Sequence, residues 1–171
     1  MKGGFIIEPL AAHDRSTFSC GSPPLDRYVR EQASQDVRRL LARCFVVVEA
    51  ATQTLAGCYT LAASSALASD LPPELLKRLP RHPVLPAALI GRLAVDRRFA
   101  RKGLGGALLA DAALRVLRSG TAPFALIVDA KDESAAAFYR RHGFRAFLSR
   151  PMSLFLPTAT ARKAAGDAAG R

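Results

Sequence analysis

Aromatic, sulfur and imidazole side chains are scarce in this chain, and each scarcity removes a class of function. Tryptophan is absent and only 7% of residues are aromatic, so no stripe of stacking rings is on offer for reading single-stranded bases in sequence. The three cysteines, Cys20, Cys44 and Cys58, are widely spaced, odd in number and form no CxxC pair. They suggest neither a disulfide framework nor a thiolate metal site, and read as small buried hydrophobes. His13, His82 and His142 are the only histidines and no HExxH occurs, so no metal is expected. No apolar run approaches the ~18 residues of a membrane helix, and none follows the N-terminal lysine. A soluble protein of the cytoplasm is expected. Negative charge is short as well, with 14 Asp and Glu against 25 Lys and Arg for a formal net charge of +11.

That excess of basic residues points to a polyanionic partner, nucleic acid above all, or to a generally basic, arginine-rich proteome. It is not confined to a tail. Lys77, Arg78, Arg81, Arg92, Arg97, Arg98, Arg101 and Lys102 form one group, and Arg140, Arg141, Arg145 and Arg150 a second. Half of the 171 residues are apolar, enough for one compact domain, assigned to residues 1–157. Residues 158–171 read as a flexible C-terminal tail.

Along the chain, a short strand at 5–8 precedes a helix for which Ser22 is the expected N-cap and Pro23 the first residue. Leu25, Val29, Ala33, Val37 and Leu41 recur every four residues along its apolar stripe. Its opposite face, with Arg30, Glu31 and Arg38, is ordinary surface or a substrate wall. The runs CFVVVEA (44–50) and LAGCYTLA (55–62) predict a hairpin, with Gly57 marking a bulge or a close backbone approach. Residues 63–85 are proline-punctuated and irregular, a cleft rim or a plain connector, with a helical turn at 74–79. A strand at 88–95, a helix at 104–118, a strand at 124–129, a helix from Asp132 to His142 and strands near 145–148 and 153–156 complete the order. The fold class is α/β, a mixed sheet with helices on both faces and parallel pairing where helices cross over.

Two motifs carry chemistry. IGRLAVD–RRFARKGLGG–ALLADAALRVL reads as strand, basic turn and apolar helix. Gly103, Gly105 and Gly106 allow tight turning and close ligand approach, and the first helical N–H groups lack intrahelical partners, which makes an anion cradle. A merely tight connection is the competing explanation, since the turn matches neither the G-x-G-x-x-G fingerprint nor a P-loop. The second motif, AAAFYRRHGF, sets Ala135, Phe138 and Tyr139 on one helix face. Tyr139 is a core residue or a phenol that donates a proton to a leaving group.

The pairing of VDRRFARKGLGGALLADA with AAAFYRRHGF resembles the GNAT superfamily of acetyl-CoA-dependent N-acetyltransferases. DRSTFSCGSPPLDRYVREQASQD, GCYTLAASS, LPRHPVLPAALIGRLAVD and LFLP extend the resemblance to the GNAT toxins of type II toxin–antitoxin systems. It implies the acyl-CoA N-acyltransferase fold, with a partly splayed central sheet. The implied activity is transfer of acetyl from acetyl-CoA to the α-amino group of aminoacyl-tRNA, which blocks translation. Neutralisation by a ribbon-helix-helix antitoxin and a homodimeric state are implied with it.

Residue by residue, Arg101, Lys102, Gly103, Leu104, Gly105, Gly106 and Ala107 would hold the pyrophosphate. Leu93, Ala94 and Val95 would line the acetyl-pantetheine arm, with the Val95 N–H polarising the thioester carbonyl. Asp132, Ala136, Phe138 and Tyr139 would complete the cofactor site, with Tyr139 as the acid. Arg38, Lys77, Arg78, Arg81, Arg92, Arg140 and Arg141 would face tRNA. One departure stands out: Ala100 occupies the position where the family pattern has Gln or Arg. The alternatives are a GNAT enzyme acting on a protein or small-molecule amine, and a non-catalytic CoA- or nucleic-acid-binding module.

Overall fold

The computed structural model describes residues 4–79, 81–121 and 123–170. Pro80 of the proline-rich segment and Arg171 of the expected tail lie outside them. Seven strands hydrogen-bond in the order β1-β2-β3-β4-β5-β7-β6. They are β1 (Phe5–Pro9), β2 (Arg43–Glu49), β3 (Leu55–Leu67), β4 (Val84–Val95), β5 (Ala125–Asp129), β6 (Arg145–Ala146) and β7 (Ser153–Pro157). The helices are α1 (Pro23–Arg27), α2 (Ala33–Arg38), α3 (Pro73–Leu76), α4 (Leu104–Arg118), α5 (Glu133–Arg141) and α6 (Thr158–Ala169). The expected mixed α/β architecture is present, and β4 pairs β5 in parallel, with α4 as the crossover between them. The chain forms two compact units, one of Met1–Ala62 with Ile90–Ala112, the other of Ala63–Leu89 with Ala113–Arg171.

In the first unit β1, β2 and β3 form an antiparallel meander. β2 reads as an unbroken apolar run because both its faces are covered. Cys44, Val46 and Val48 pack in a core cluster with Phe18, Tyr28, Val29, Ala33, Cys58 and Ala94. Phe45, on the other face, stacks on Tyr59 with ring centroids 5.3 Å apart.

The hairpin register passes from Val47↔Gly57 to Val48↔Leu55, which leaves Ala56 as the extra residue of a bulge. Its carbonyl accepts from the Asp96 N–H at 2.8 Å. Gly57 shows both predicted features, because a Cβ there would lie 2.8 Å from the Ala94 carbonyl oxygen.

The long helix predicted from Pro23 is interrupted. Tyr28–Gln32 is a π turn between α1 and α2. A widened turn shifts the periodicity, so Leu41 falls beyond the helix and stands 62% exposed rather than on the buried stripe. Ser22 occupies the N-cap position without a side-chain cap. The loop is closed instead by Asp26, whose carboxylate accepts from the Cys20 N–H at 2.7 Å.

In the second unit β5 pairs antiparallel with β7, and β7 with β6. Ala66, Leu71, Leu85, Ala87, Ala125, Ile127, Phe147 and Phe155 form its core. Residues 63–85 are less irregular than predicted, because β3 runs on to Leu67 and β4 starts at Val84. Buried Asp70 ties this stretch to the loop before β7. Its backbone carbonyl accepts from Leu148 N–H at 3.0 Å and its carboxylate from Ser149 N–H at 2.7 Å. These bonds confine β6 to two residues, shorter than the strand predicted near 145–148.

The segment expected as a loose tail forms α6. Thr158 donates its N–H to Phe124 O and its hydroxyl to Pro123 O, Ala161 is buried, and the alanine-rich sequence has high helix propensity.

Gly57→Ala should destabilise the protein by about 1–3 kcal/mol, because the obstructing atom is backbone and cannot swing aside. Urea denaturation monitored by circular dichroism measures this; an unchanged midpoint would show that the strands are free to part there.

Candidate functional site

The glycine turn is aimed by a buried carboxylate. Asp96, 1% exposed, ends β4 and caps the 3₁₀ turn Arg97–Phe99 by accepting from the Arg98 N–H at 2.9 Å. It also accepts from the Arg98 guanidinium at 3.0 Å and from the Ser19 N–H at 3.1 Å. Burial alone would push its carboxyl up. The bonds from Arg98 and Ser19 and the charge of Arg98 outweigh burial and hold it below the usual carboxylate value.

Beyond it Ala100 is exposed and extended, and Arg101 and Gly103 both adopt positive φ, 62° and 76°. Two left-handed residues within three positions reverse the chain so that α4 starts at Leu104, which is 2% exposed and pins the turn to the core. Ala107 N–H is bonded to Gly103 O at 3.1 Å, so the amides ahead of it form the open first turn of the helix. Arg101, Lys102 and Gly103 are exposed, while Gly105, Gly106 and Ala107 are half-buried. The predicted pyrophosphate residues thus lie together on one exposed turn and helix start. Leu93 and Val95 are half-buried and Ala94 is buried on the strand leading into it.

The second motif lies in the other unit. Asp132 is the N-cap of α5, its carboxylate accepting from Ala135 N–H at 2.8 Å. Ala136 is fully buried, Phe138 half-buried and Tyr139 7% exposed, with ring contacts from Tyr139 to Phe138 at 5.3 Å and to Phe144 at 5.7 Å.

The chain has three tyrosines, and their hydroxyls separate them. Tyr28 donates to Asp36 at 2.8 Å and Tyr59 to Asp111. The Tyr139 hydroxyl has no hydrogen-bond partner among the described residues, and no sealed side-chain oxygen lacks a partner among them, so this oxygen borders open space. Burial, with a contribution from the Asp129 charge, raises the phenol to about 12. It stays protonated throughout the neutral range.

The predicted tRNA-facing residues Arg38, Lys77, Arg78, Arg81, Arg92 and Arg141 are all exposed. Arg140 is exposed too but pairs with Glu133 at 2.8 Å. Cys58 offers no nucleophile: the bond with Cys44 and burial keep its thiol well above its ordinary range. Among the described residues no cluster of His, Cys, Asp and Glu could hold a metal, and no helix is long and apolar enough to cross a membrane.

Sequence reasoning did not single out Asp96 or Tyr28. Asp96 belongs to the motif already quoted, but nothing in its spacing announces that Ser19, far away in sequence, would donate to it.

The first unit thus carries the open amide turn and the second the helix with Tyr139, the two motifs by which the sequence resembles the acyl-CoA N-acyltransferases. The chain matches the family described as acetyltransferase (GNAT) domain over residues 41–146 and belongs to it; the family uses acetyl-CoA as donor. It is 33% identical to the probable toxin TacT of Sinorhizobium fredii, over 94% of this chain and 95% of that protein. It is 35% identical to a tRNA-acetylating toxin of Mycobacterium tuberculosis, over 91% of this chain and 93% of that protein. Among solved structures it is similar to AtaT complexed with acetyl-methionyl-tRNAfMet, with a TM-score of 0.84 and 26% identity over 94% of this chain and 98% of that one.

Replacing Asp96 with Ala leaves the Arg98 and Ser19 donors unpaired and should cost about 1.5–3 kcal/mol. Because the folded-state carboxyl lies below its unfolded value of about 3.9, its contribution is fully present above that value. It is lost as pH falls through the lower folded value. Urea midpoints at neutral pH and near pH 3 test this: the gap between wild type and Asp96→Ala should narrow at the lower pH.

Proposed function

We propose that this chain is the toxin of a type II toxin–antitoxin system, acetylating the α-amino group of aminoacyl-tRNA and so blocking translation. The observation that carries the reading is near full-length likeness to curated toxins, one of them named for acetylating tRNA, in a chain of net charge +11. A polyanionic acceptor recognised through its phosphates suits exposed arginines better than a small amine would.

In this reading the amides from Arg101 to Ala107 hold the pyrophosphate against the positive end of α4. Ala100 removes one side chain from this turn; most of the donors are main-chain, so the cradle survives. Leu93 and Ala94 flank the pantetheine arm, and Val95 N–H takes the thioester oxygen as charge develops on it. Asp132, Ala136 and Phe138 place Tyr139 where its hydroxyl donates to the sulfur as the C–S bond breaks. The attacking amine needs no strong base, because an α-amine beside an ester is substantially neutral near pH 7.

Arg38, Lys77, Arg78, Arg81, Arg92, Arg140 and Arg141 supply phosphate contacts. The partner that silences the toxin is a ribbon-helix-helix antitoxin encoded beside it, the active form is a homodimer, and the compartment is the cytoplasm.

Purified enzyme, labelled acetyl-CoA and charged tRNA test the substrate. Label should be released by mild alkali as an N-acetyl amino acid; label that resists ester hydrolysis on protein or a small amine would replace the acceptor. Tyr139→Phe should keep acetyl-CoA binding and lower turnover roughly 10²–10⁴-fold. The pH profile of kcat should rise through the amine's titration and then stay flat to at least pH 10, because the phenol loses its proton only near 12. An alkaline fall below pH 9 would remove Tyr139 from the role of donor.

A further inference from the structure

β4 is kinked at Arg92, whose φ of 53° places an L-residue in the left-handed region. Such a conformation costs on the order of 1–3 kcal/mol and persists only where its surroundings impose it. Here they do. A Cβ at the preceding Gly91 would lie 2.9 Å from Thr60 Oγ1, and the Arg92 carbonyl is turned towards Cys58 Sγ at 3.7 Å.

The kink sends the Arg92 side chain out of the strand to lie over the Tyr28 ring, with Cζ 4.5 Å from its centroid. That ring is itself fixed. Tyr28 is 4% exposed and its hydroxyl is bonded to Asp36. It opens the π turn, and the Val29 carbonyl accepts from Arg15 Nη1 at 3.0 Å, while Arg15 Nη2 reaches Ser34 Oγ at 3.2 Å. Among the described residues Arg92 forms no ion pair, unlike Arg98, Arg140, Arg145 and Arg150.

The magnitudes argue against a purely structural purpose. An exposed cation over a ring contributes about 0.5–1 kcal/mol, less than the backbone strain that puts it there. What the arrangement yields is a rigid guanidinium with one face on a ring and its N–H edges free, the geometry that takes a phosphate in two parallel bonds. Arg92 also precedes Val95 by three strand positions, about 10 Å. That distance is comparable to the span from the α-amine of an amino acid esterified to a terminal ribose to that nucleotide's own 5′-phosphate.

We propose that Arg92 fixes the acceptor end by binding the phosphodiester nearest the charged 3′ terminus, with Tyr28 and Asp36 as positioning residues. The inference rests on the aminoacyl-tRNA reading and goes beyond it by separating one anchoring arginine from the general basic surface.

The informative variant is Arg92→Gly, which keeps the left-handed backbone at ease and removes only the side chain. Its thermal midpoint should equal or exceed that of wild type, while KM for charged tRNA rises roughly 10–100-fold, the loss of a charge-assisted contact. KM for acetyl-CoA should stay within about twofold, and the slope of log affinity against log salt should fall by about 1. Arg92→Lys should recover part of the affinity, and Tyr28→Phe, which keeps the ring but frees it from Asp36, should give an intermediate KM.

On aminoacyl-adenosine, which lacks the phosphate, the ratio of variant to wild-type kcat/KM should return to near one. An unchanged KM and salt slope on charged tRNA, or a lower midpoint with no KM effect, overturns the proposal in favour of a packing role. An equal penalty on both acceptors moves the contact to the aminoacyl group and overturns the phosphate assignment. If wild type acetylates neither acceptor, the aminoacyl-tRNA reading itself is wrong and this one falls with it.

Discussion

The glycine turn depends on how closely β3 and β4 approach. Gly57 has no Cβ because the Ala94 carbonyl occupies that space, and the bulged Ala56 offers its own carbonyl to Asp96 N–H. With the backbone of Asp96 so fixed, its carboxylate points inward and collects donors from Ser19 and Arg98. The direction in which the chain leaves β4 follows, and with it the start of α4 and the presentation of its free amides. An anion cradle made of main-chain donors is only as precise as the strand that launches it. Here one missing methyl and one buried carboxylate set that precision.

The net charge overstates the number of available cations. Arg98 neutralises Asp96, Arg150 lies against Asp70, Arg145 pairs with Glu74 and Arg140 with Glu133. Arg15 and Arg30 are used on the carbonyls of Val29 and Phe18. The exposed pairs contribute little to stability and a phosphate can compete for them, but the arginine on buried Asp96 is committed. Six of the seven residues that the sequence marks for tRNA, Arg38, Lys77, Arg78, Arg81, Arg92 and Arg141, face solvent with no ion pair among the described residues, but so do Arg27, Arg39, Arg43, Arg101 and Lys102.

Much of the fold was legible because local chemistry and tertiary demand agree. The limits of α4 follow from Gly103 before it and its apolar run, Asp132 caps α5, and Gly57 marks both bulge and close contact. What was hidden depends on partners distant in sequence. The π turn at Tyr28–Gln32 needs Arg15 beside the Val29 carbonyl, and the left-handed Arg92 is imposed by Thr60 and Cys58 on the neighbouring strand. The strand ends at Leu67 and Val84 lie in a proline-rich stretch whose propensity argues for loop. The C-terminal helix was masked by the habit of termini to fray, which docking of Thr158 and Ala161 overrides. The two motifs quoted from the sequence fall on the start of α4 and on α5. The pattern could not say which of the three tyrosines keeps its hydroxyl uncommitted.

That uncommitted phenol also constrains the timing of the proposed reaction. At about 12 it is a weaker acid than a thiol, so handing its proton to a free thiolate would be uphill. A stepwise transfer after the thiolate has departed is therefore the costly route. Donation to the sulfur while the C–S bond is still breaking avoids that cost, because the hydrogen bond strengthens as charge appears and is never asked to complete against a free thiolate. In the proposed reaction the ammonium formed when the amine attacks is far more acidic than the phenol, so it returns a proton to the Tyr139 oxygen as that oxygen gives its own to the sulfur. Burial thus suits Tyr139 to a concerted step: it keeps the hydroxyl protonated at any physiological pH and leaves it strongest as a donor at the moment of bond cleavage.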